Sequence, residues 1–226
     1  KYLEESLLKA TYIAYEINAN YSEANELYKD LYKLANLKSN REIAQIGLMR
    51  TYFKLGNQNE VLRYANEVLN DDNISAEVKG EANFYNAKAL FETKKYNQAQ
   101  VVFQEVIAQQ PMSKIKAESA YYVAFIKYKN GKYEESKTDC FSIKTEYASY
   151  TYWVVKTFIL LSDNYAALNN IFQAKATLQS IINNYNGDQE LLDEANTKYN
   201  ALLLKELENS KIDMNDKNSG EIEFAK

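Results

Sequence analysis

Apolar positions in this chain recur at helical spacing, in pairs of short segments separated by turn signals. The clearest pair lies within 117–143, where Ala120 and Ala124 are one turn apart and Asn130-Gly131 follows as a turn signal. After the turn, an apolar-to-small stripe continues at spacings of three, four and three residues: Tyr133, Ser136, Cys140 and Ile143. Two amphipathic helices joined by one turn cannot bury their apolar faces alone, so the pattern predicts further copies of the unit beside it.

Two independent sets of residues repeat with one period along the chain. A small or apolar residue early in each second helix recurs at spacings of 37, 38, 37 and 38 residues: Ala24, Val61, Ala99, Ser136 and Ala174. Candidate N-cap residues precede the helical segments with nearly the same spacing: Ser39, Ser75, Ser113, Ser149 and Asp188. The segment 39–42 also has the sequence of a capping box. Self-similarity of this length predicts a helical solenoid in which each unit stacks on its neighbours.

The periodicity predicts five helix pairs followed by one last helix. The predicted helices are 1–18 and 21–34, 42–55 and 59–70, 77–93 and 96–109, 114–129 and 133–145, 150–168 and 172–184, and 188–208. We therefore expect five repeats over 1–187, a C-terminal capping helix over 188–209, and a disordered tail over 210–226. The first helix has apolar positions on more than one side, which leads us to expect that further repeats precede Lys1.

The residues around the turns and second helices resemble a known family. Gly56 with Tyr64, the segment Tyr96-Asn-Gln-Ala99 with the later Pro111, and Gly131 with Tyr133 stand where tetratricopeptide repeats have such residues. The resemblance extends from about Glu4 to Asn186, although each copy is three or four residues longer than the usual ~34 and lacks the family's early Trp. It implies an all-α, right-handed α-α superhelical solenoid of five helix-turn-helix repeats with a capping helix.

In the family that the chain resembles, the first helices line a concave face on which peptides bind. Carrying those positions over by the period gives an aromatic and charged set of candidate partner-binding residues: Ile46, Arg50, Phe53, Lys54, Phe84, Lys88, Phe91, Glu92, Tyr121, Phe125, Tyr128, Lys129 and Asp163. Aromatic side chains beside Arg or Lys are typical of interaction hot spots. Because aromatic residues at helical spacing also serve as core, the sequence leaves open whether this set is a binding groove or packing.

Composition narrows the chemistry that the chain can carry. It contains no His and one Cys, which excludes Ser-His-Asp and Cys-His catalytic arrangements, His metal ligands and an internal disulfide. Glycines stand alone, so no phosphate-binding loop is present, and we expect no catalysis, cofactor or metal. We expect Cys140 and Trp153 to pack between helices, and the adjacent acids Glu4-Glu5 to lie on a solvated face.

The expected function is a non-catalytic scaffold that binds a protein or peptide along the concave face. The net charge of −4 without a basic stripe argues against nucleic acid as a partner. The chain has no run of 18 apolar residues, so the sequence does not predict membrane insertion. A structural spacer or self-assembly segment of a larger repeat protein is the alternative, and an accessory module of an enzyme is a third hypothesis. By resemblance to long bacterial repeat proteins we expect the periplasm or cell envelope, with the cytoplasm left open, and the sequence does not decide the oligomeric state.

Overall fold

A computed structural model describes residues 2–109, 111 and 113–218 of the chain, with side chains as far as Glu208. All regular elements within these residues are helical, and within each of two compact units successive helices pack against one another. The helices divide into two compact units, Lys1–Ile126 and Lys127–Lys226. In the part of the chain that the structure covers, every helix is too short or too polar to cross a lipid bilayer.

The helical elements follow one another with short connections. The first unit contains α1 (Tyr2–Tyr12) with a π-helical continuation (Ile13–Ile17), α2 (Tyr21–Leu34), α3 (Lys38–Lys54), α4 (Gln58–Leu69), α5 (Ala76–Glu92), α6 (Tyr96–Gln109) and most of α7 (Lys114–Lys129). The second unit contains α8 (Tyr133–Glu146), α9 (Thr151–Ala167), α10 (Ile171–Asn184) and α11 (Gln189–Asn218). The predicted all-α helical-repeat solenoid is therefore confirmed as the fold class.

The helix bounds agree closely with the hydrophobic periodicity. The predicted bounds of α2, α6 and α7 are those observed, and most other ends differ by one residue. Two differences are larger, because α3 begins four residues before the predicted 42 and α11 continues past 209 to Asn218. The predicted tail over 210–226 thus overlaps the last helix as far as Asn218, and the rest of it, 219–226, lies outside the described residues. The division into domains stays a prediction.

A left-handed residue ends the first helix of every pair. The backbone φ is positive at five positions spaced by 37, 38, 37 and 38 residues: Ala19, Gly56, Lys94, Gly131 and Asn169. Glycine adopts this conformation without steric cost because it has no Cβ, and Gly131 of the predicted Asn130-Gly131 turn does so with φ +77°. At Ala19 and Lys94 the left-handed conformation is kept although their Cβ opposes it, whereas Asn169 is of a type that tolerates it.

The predicted N-caps are confirmed at three of the five positions. The backbone N–H groups of Val78, Lys116 and Leu191 donate to Ser75 Oγ, Ser113 Oγ and Asp188 Oδ1 at 3.2–3.3 Å. Two predictions are wrong. α3 begins at Lys38, so Ser39 lies inside the helix and its capping box does not form. The N-cap of α9 is Tyr150 rather than Ser149, and it makes no side-chain cap.

Glu4 does not lie on the solvated face that was predicted for the adjacent acids Glu4-Glu5. Its carboxylate is buried and accepts from the backbone N–H and Nδ2 of Asn36 at 3.1 and 2.9 Å, and from Asn40 Nδ2 at 2.7 Å. These hydrogen bonds lower the pKa of Glu4 to about 2. Glu4 therefore fastens α1 to the corner between α2 and α3, a role that a pair of adjacent acids does not reveal by spacing.

The core of the first unit is built from the inward faces of successive helices. One apolar cluster joins α2, α3, α4 and the start of α5 through side chains such as Leu31, Leu48 and Val68. A second joins α5, α6 and α7 around Phe103, whose side chain is fully buried. Burying a side chain of this size stabilises the folded chain by roughly 1.5–3 kcal/mol. Each cluster contains residues from neighbouring pairs, so no pair completes its core alone.

The core of the second unit brings α9, α10 and α11 together. Val155, Ile159, Leu178 and Leu191 form its centre. Trp153 and Cys140 are buried as predicted, and burial raises the pKa of the Cys140 thiol to about 12. The thiol therefore stays protonated, as a buried packing residue does.

Candidate interaction face on the first helices

The predicted partner-binding residues of the first unit lie on α3, α5 and α7, the first helices of their pairs. Two ion pairs connect these helices in succession. Arg50 Nε on α3 is 2.6 Å from Glu81 Oε1 on α5, and Lys88 Nζ on α5 is 2.7 Å from Glu118 Oε1 on α7. We call the surface carrying these pairs the first-helix face. Because Arg50 and Lys88 already have carboxylate partners within the unit, their charges are largely balanced before any other molecule binds.

Aromatic rings fill the space between the ion pairs on the first-helix face. The Phe53 ring packs edge-to-face on Tyr85 with centroids 5.8 Å apart, and Lys88 Nζ lies 4.5 Å from the centroid of Phe53. Phe91 contacts Tyr122 and Phe125 at centroid distances of 4.8 and 5.8 Å. Rings held by neighbouring rings and cations lose little freedom when a partner covers them, so this part of the face is rigid before binding.

The predicted residues differ in their accessibility. Phe84 and Tyr121 are 3% and 7% exposed, and Phe84 packs against Phe103 in the core. Lys54 and Glu92, in contrast, are exposed. Partly buried side chains lie between these extremes: Ile46, Arg50, Phe53, Lys88, Phe91 and Phe125. A partner could thus contact the exposed and partly buried members, while Phe84 and Tyr121 support them from beneath.

Three of the predicted partner-binding residues lie in the second unit. Tyr128 packs against Tyr133 with centroids 5.5 Å apart, and Lys129 is exposed. Asp163 on α9 accepts from Lys198 Nζ of α11 at 2.8 and 2.9 Å. Asp163, a predicted partner-binding residue, is therefore already paired with a lysine of the last helix.

Several residues that complete the first-helix face were not predicted from the sequence. Glu81 and Glu118 are the carboxylate partners of the ion pairs, and Tyr85 and Tyr122 are the rings beside them. Both sets are spaced by 37 residues, so the repeat period itself was the signal that could have identified them.

Two tyrosines near Arg50 are held in their neutral form by burial. Desolvation raises the pKa of Tyr15 to about 12, and it also raises the pKa of Tyr85. Their rings and hydroxyls thus contribute contact area without charge over the accessible pH range, so the charge pattern of the face is set by its Arg, Lys, Asp and Glu side chains.

A polar cleft of about 640 Å³ lies elsewhere in the first unit, at the open end of the α3–α4 pair. It is lined by Lys38, Arg41, Glu42, Gln45, Glu67, Asn70, Asp71, Asp72, Asn73 and Ile74. Its charges are connected internally, since Lys38 donates to the Asn73 carbonyl and Glu67 accepts from Tyr32 and Gln45. Within the described residues, no group of three or more Cys, Asp or Glu side chains is placed to hold a metal ion.

The chain is similar to known proteins in its structure, whereas comparisons of its sequence find no match. No family model and no curated protein matches the chain. Among solved structures, a variant of the tetratricopeptide-like repeats of a Podospora anserina kinesin light chain superposes with a TM-score of 0.63 at 17% identity, covering 80% of this chain and 94% of that one. A tetratricopeptide protein of Thermus thermophilus superposes with a TM-score of 0.58 at 16% identity, covering 89% and 99%.

A third similar structure is the protein MamA, with a TM-score of 0.58 at 14% identity over 82% of this chain and 97% of that one. Similarity at this level of identity establishes the fold, and the chain has the tetratricopeptide-type helical-repeat fold that its turn and second-helix residues predicted.

Proposed function

We propose that the protein is a non-catalytic scaffold that binds a segment of another protein along the concave side formed by its first helices. The observation that carries the proposal is the first-helix face of the first unit, where partly exposed rings are fixed between two inter-helical ion pairs. Proteins of this fold commonly act as interaction scaffolds, and repeat proteins commonly bind along their concave surface.

The ion pairs support the proposal because they orient the rings before a partner arrives. Arg50–Glu81 and Lys88–Glu118 each bridge two helices, and Lys88 also lies over the Phe53 ring. The side chains of Glu81, Lys88 and Glu118 are mostly buried, with 10–15% exposed, so these contacts are more persistent than ion pairs on an open surface. A preformed face loses little conformational entropy on binding, which leaves more of the contact energy for affinity.

The partner that this face fits is a segment with apolar side chains at its centre and charges at its edges. Phe53, Phe91 and Phe125 provide apolar area, and truncating one such anchor costs roughly 2 kcal/mol of binding free energy. Lys54 and Glu92 are exposed and carry opposite charges, so they favour one direction of the bound segment over the other.

The test compares partner capture by three forms of the protein. The wild type, a face variant Lys54→Glu/Glu92→Lys and a control variant Lys33→Glu/Glu105→Lys are each immobilised and exposed to a lysate of the source cells, and retained proteins are identified by mass spectrometry. The control reverses two exposed charges on the second helices α2 and α6, so both variants have the same composition and net charge as the wild type.

A protein retained by the wild type and the control, and lost by the face variant, supports the proposal. Circular dichroism first establishes that all three forms are equally folded, which is expected because only exposed side chains change. The proposal fails if every retained protein is held equally by the face variant, because the binding surface would then lie elsewhere.

A further inference from the structure

Two asparagines in the second unit are each followed directly by glycine, and the structure places them in different backbone settings. Asn130-Gly131 lies at the turn between α7 and α8, and Asn186-Gly187 lies in the connection between α10 and α11. Asparagine is a chemically labile residue, because the backbone nitrogen of the next residue can attack its side-chain carbonyl carbon. Glycine hinders that attack least, since it has no Cβ. Whether either pair reacts therefore depends on the freedom of the glycine nitrogen.

The turn at Asn130-Gly131 holds its glycine nitrogen in place. The Gly131 N–H donates to the Tyr128 carbonyl at 3.0 Å. Gly131 is also fixed in the left-handed conformation that ends α7. An attack on the Asn130 side chain therefore requires this helix end to open first, because the nitrogen has to leave the carbonyl to which its N–H is bonded.

The connection at Asn186-Gly187 leaves its glycine nitrogen open. α10 ends at Asn184 and α11 begins at Gln189, so the residues between them lie outside both helices. Among the described residues, no acceptor receives a hydrogen bond from the Gly187 N–H, and the Asn186 side chain makes no hydrogen bond either. Both residues are exposed to solvent. The nitrogen, the side-chain amide and water are therefore all free to meet.

A neighbouring ring explains why glycine occupies position 187. A Cβ on Gly187 would lie 2.5 Å from Oη of Tyr185. The same hydroxyl accepts from the Asp188 N–H at 2.9 Å, and the Tyr185 ring packs against the apolar cluster of α9, α10 and α11. The close approach of chain and ring thus requires the residue type that leaves Asn186 most open to attack.

We propose that Asn186 is a site of spontaneous deamidation, and that Asn130, in the same dipeptide sequence, is protected by the fold. The Gly187 nitrogen gives its proton to hydroxide and forms a bond to Cγ of Asn186. The bond from Cγ to Nδ2 breaks, and ammonia leaves with a proton taken from water. Water then opens the succinimide ring at either carbonyl, which yields aspartate or isoaspartate at position 186. Overall, one water is consumed and one ammonia is released for each modified side chain.

The products affect the start of the last helix. The Asp188 carboxylate accepts from the Leu191 N–H at 3.2 Å and so caps α11. Isoaspartate lengthens the backbone by a methylene group just before that cap, and both products add a negative charge there. We therefore expect the modified chain to hold the start of α11 less firmly, at a cost in stability.

The reaction does not depend on the proposed function, because it occurs in the protein without a partner. The wild type is incubated at mildly alkaline pH, and deamidation at each asparagine is followed by mass spectrometry as a gain of about 1 Da. Proteases are chosen that keep each Asn-Gly pair within one peptide. The native protein is expected to react roughly tenfold faster at Asn186 than at Asn130, since the turn at Asn130 must first lose a hydrogen bond and its helix end.

The unfolded chain provides the internal reference. In concentrated urea the turn at Asn130 is no longer formed, so the rates at the two asparagines are expected to converge. Asn186→Gln should nearly abolish modification at this position, because the longer side chain closes a ring far more slowly. The matched control Asn130→Gln should react at Asn186 at the wild-type rate. Both substitutions change exposed side chains only, and circular dichroism checks that both variants fold.

Two results would overturn the proposal. Equal rates at the two asparagines in the native protein would contradict protection by the turn, and an Asn186 that reacts only in urea would contradict the open connection. After incubation, the wild type is expected to unfold at a lower urea concentration than Asn186→Gln treated in the same way. Equal unfolding midpoints, with Asn186 fully modified in the wild type, would overturn the effect on α11.

Discussion

Two successive junctions between helix pairs in the first unit, α2–α3 and α4–α5, are built from different chemistry. Between α2 and α3, Asn25 Nδ2 donates to Thr51 Oγ1 at 2.7 Å, and Thr51 in turn donates to the Gly47 carbonyl at 2.8 Å, all in a buried setting. One period later, the position of Thr51 is occupied by Ala89, which is fully buried. The junction between α4 and α5 is accordingly apolar, formed by side chains such as Ala65 and Ala82.

The difference shows two ways of fixing how one repeat stacks on the next. Apolar side chains stabilise a junction but tolerate sliding, since any well-filled arrangement buries similar area. A buried hydrogen bond tolerates only the register in which both partners meet, because any other leaves a polar group unsatisfied. We infer that the α2–α3 junction has the better-defined register, and that the α4–α5 junction relies on shape alone.

The second unit contains a polar junction at the same repeat position. Asn164 of α9, two periods after Ala89, donates through Nδ2 to Ser136 Oγ of α8 at 2.9 Å and to the Leu160 carbonyl at 3.0 Å. Both groups are buried. The chain therefore places a polar contact at this position in two junctions, and buried apolar residues, Ala89 and Ile126, at the two equivalent positions between them along the sequence.

The largest effect is expected from Gly47→Ala, which acts on the close approach of the polar junction. A Cβ on Gly47 would lie 2.3 Å from Cε1 of Tyr28, so the buried ring must move or the helices must separate. Destabilisation of about 2 kcal/mol is expected for overpacking of this kind, measured as the free energy of unfolding by urea with circular dichroism. Tyr28→Leu removes the ring, and Gly47→Ala made in that background should have little effect. An equal cost in both backgrounds would contradict the assignment to this contact.

A smaller effect is expected from Thr51→Val, which keeps the side-chain shape and removes the hydroxyl. Asn25 Nδ2 would then be buried without its acceptor, at a cost of about 1.5 kcal/mol. Adding Asn25→Leu converts the pair into an apolar contact like that of the α4–α5 junction, and the double variant should regain most of the lost stability. A double variant as unstable as the sum of the singles would show that the two side chains do not act as a pair.

The helices and most of their caps could be predicted from the sequence, because they depend on local spacing and local chemistry. The helices and their order follow from the spacing of small and apolar residues such as Ala24 and Ala99, because that spacing has to match the helical period wherever a face is buried. The N-caps at Ser75 and Asp188 follow from local chemistry in the same way. The cap predicted at Ser39 failed because tertiary contacts extend α3 by a further turn, with Asn40 committed to Glu4.

The candidate site was predicted less completely than the fold. The period placed Arg50, Phe53 and Lys88 on one face, but it could not show that Arg50 and Lys88 are paired with carboxylates of the next helix. It could not separate Phe53, which is partly exposed, from the buried Phe84 either. Accessibility depends on how tightly neighbouring pairs approach, and residue types along one helix do not encode that distance.

The turns provide a reference for the junctions, because a left-handed residue recurs in every pair and the turns at Gly56 and Lys94 have the same backbone hydrogen bonds. Lys94→Gly should stabilise the protein by about 0.5–1 kcal/mol, since it removes the steric cost of a left-handed Lys with φ +61°. Gly56→Ala should destabilise it by about 1 kcal/mol, although open space surrounds that Cβ position. Urea unfolding measures both. Opposite signs at two equivalent turns are expected, and equal signs would show that the left-handed backbone is not the cause.

The last prediction concerns pH and the polar contacts of α1 with the α2–α3 corner. The Asn36 and Asn40 hydrogen bonds hold the pKa of Glu4 at about 2, below its ordinary 4.5, so its contribution to stability is complete above about pH 4.5 and is lost as the pH falls towards 2. Glu4→Gln should therefore be less stable than the wild type at pH 7, and the difference should shrink steadily below pH 4.5. Thermal unfolding by circular dichroism at several pH values measures that difference. Carboxylates elsewhere affect both proteins alike, so only the difference reports on Glu4, and a difference that stays constant down to pH 2.5 would show that the carboxylate does not fasten α1 to the α2–α3 corner.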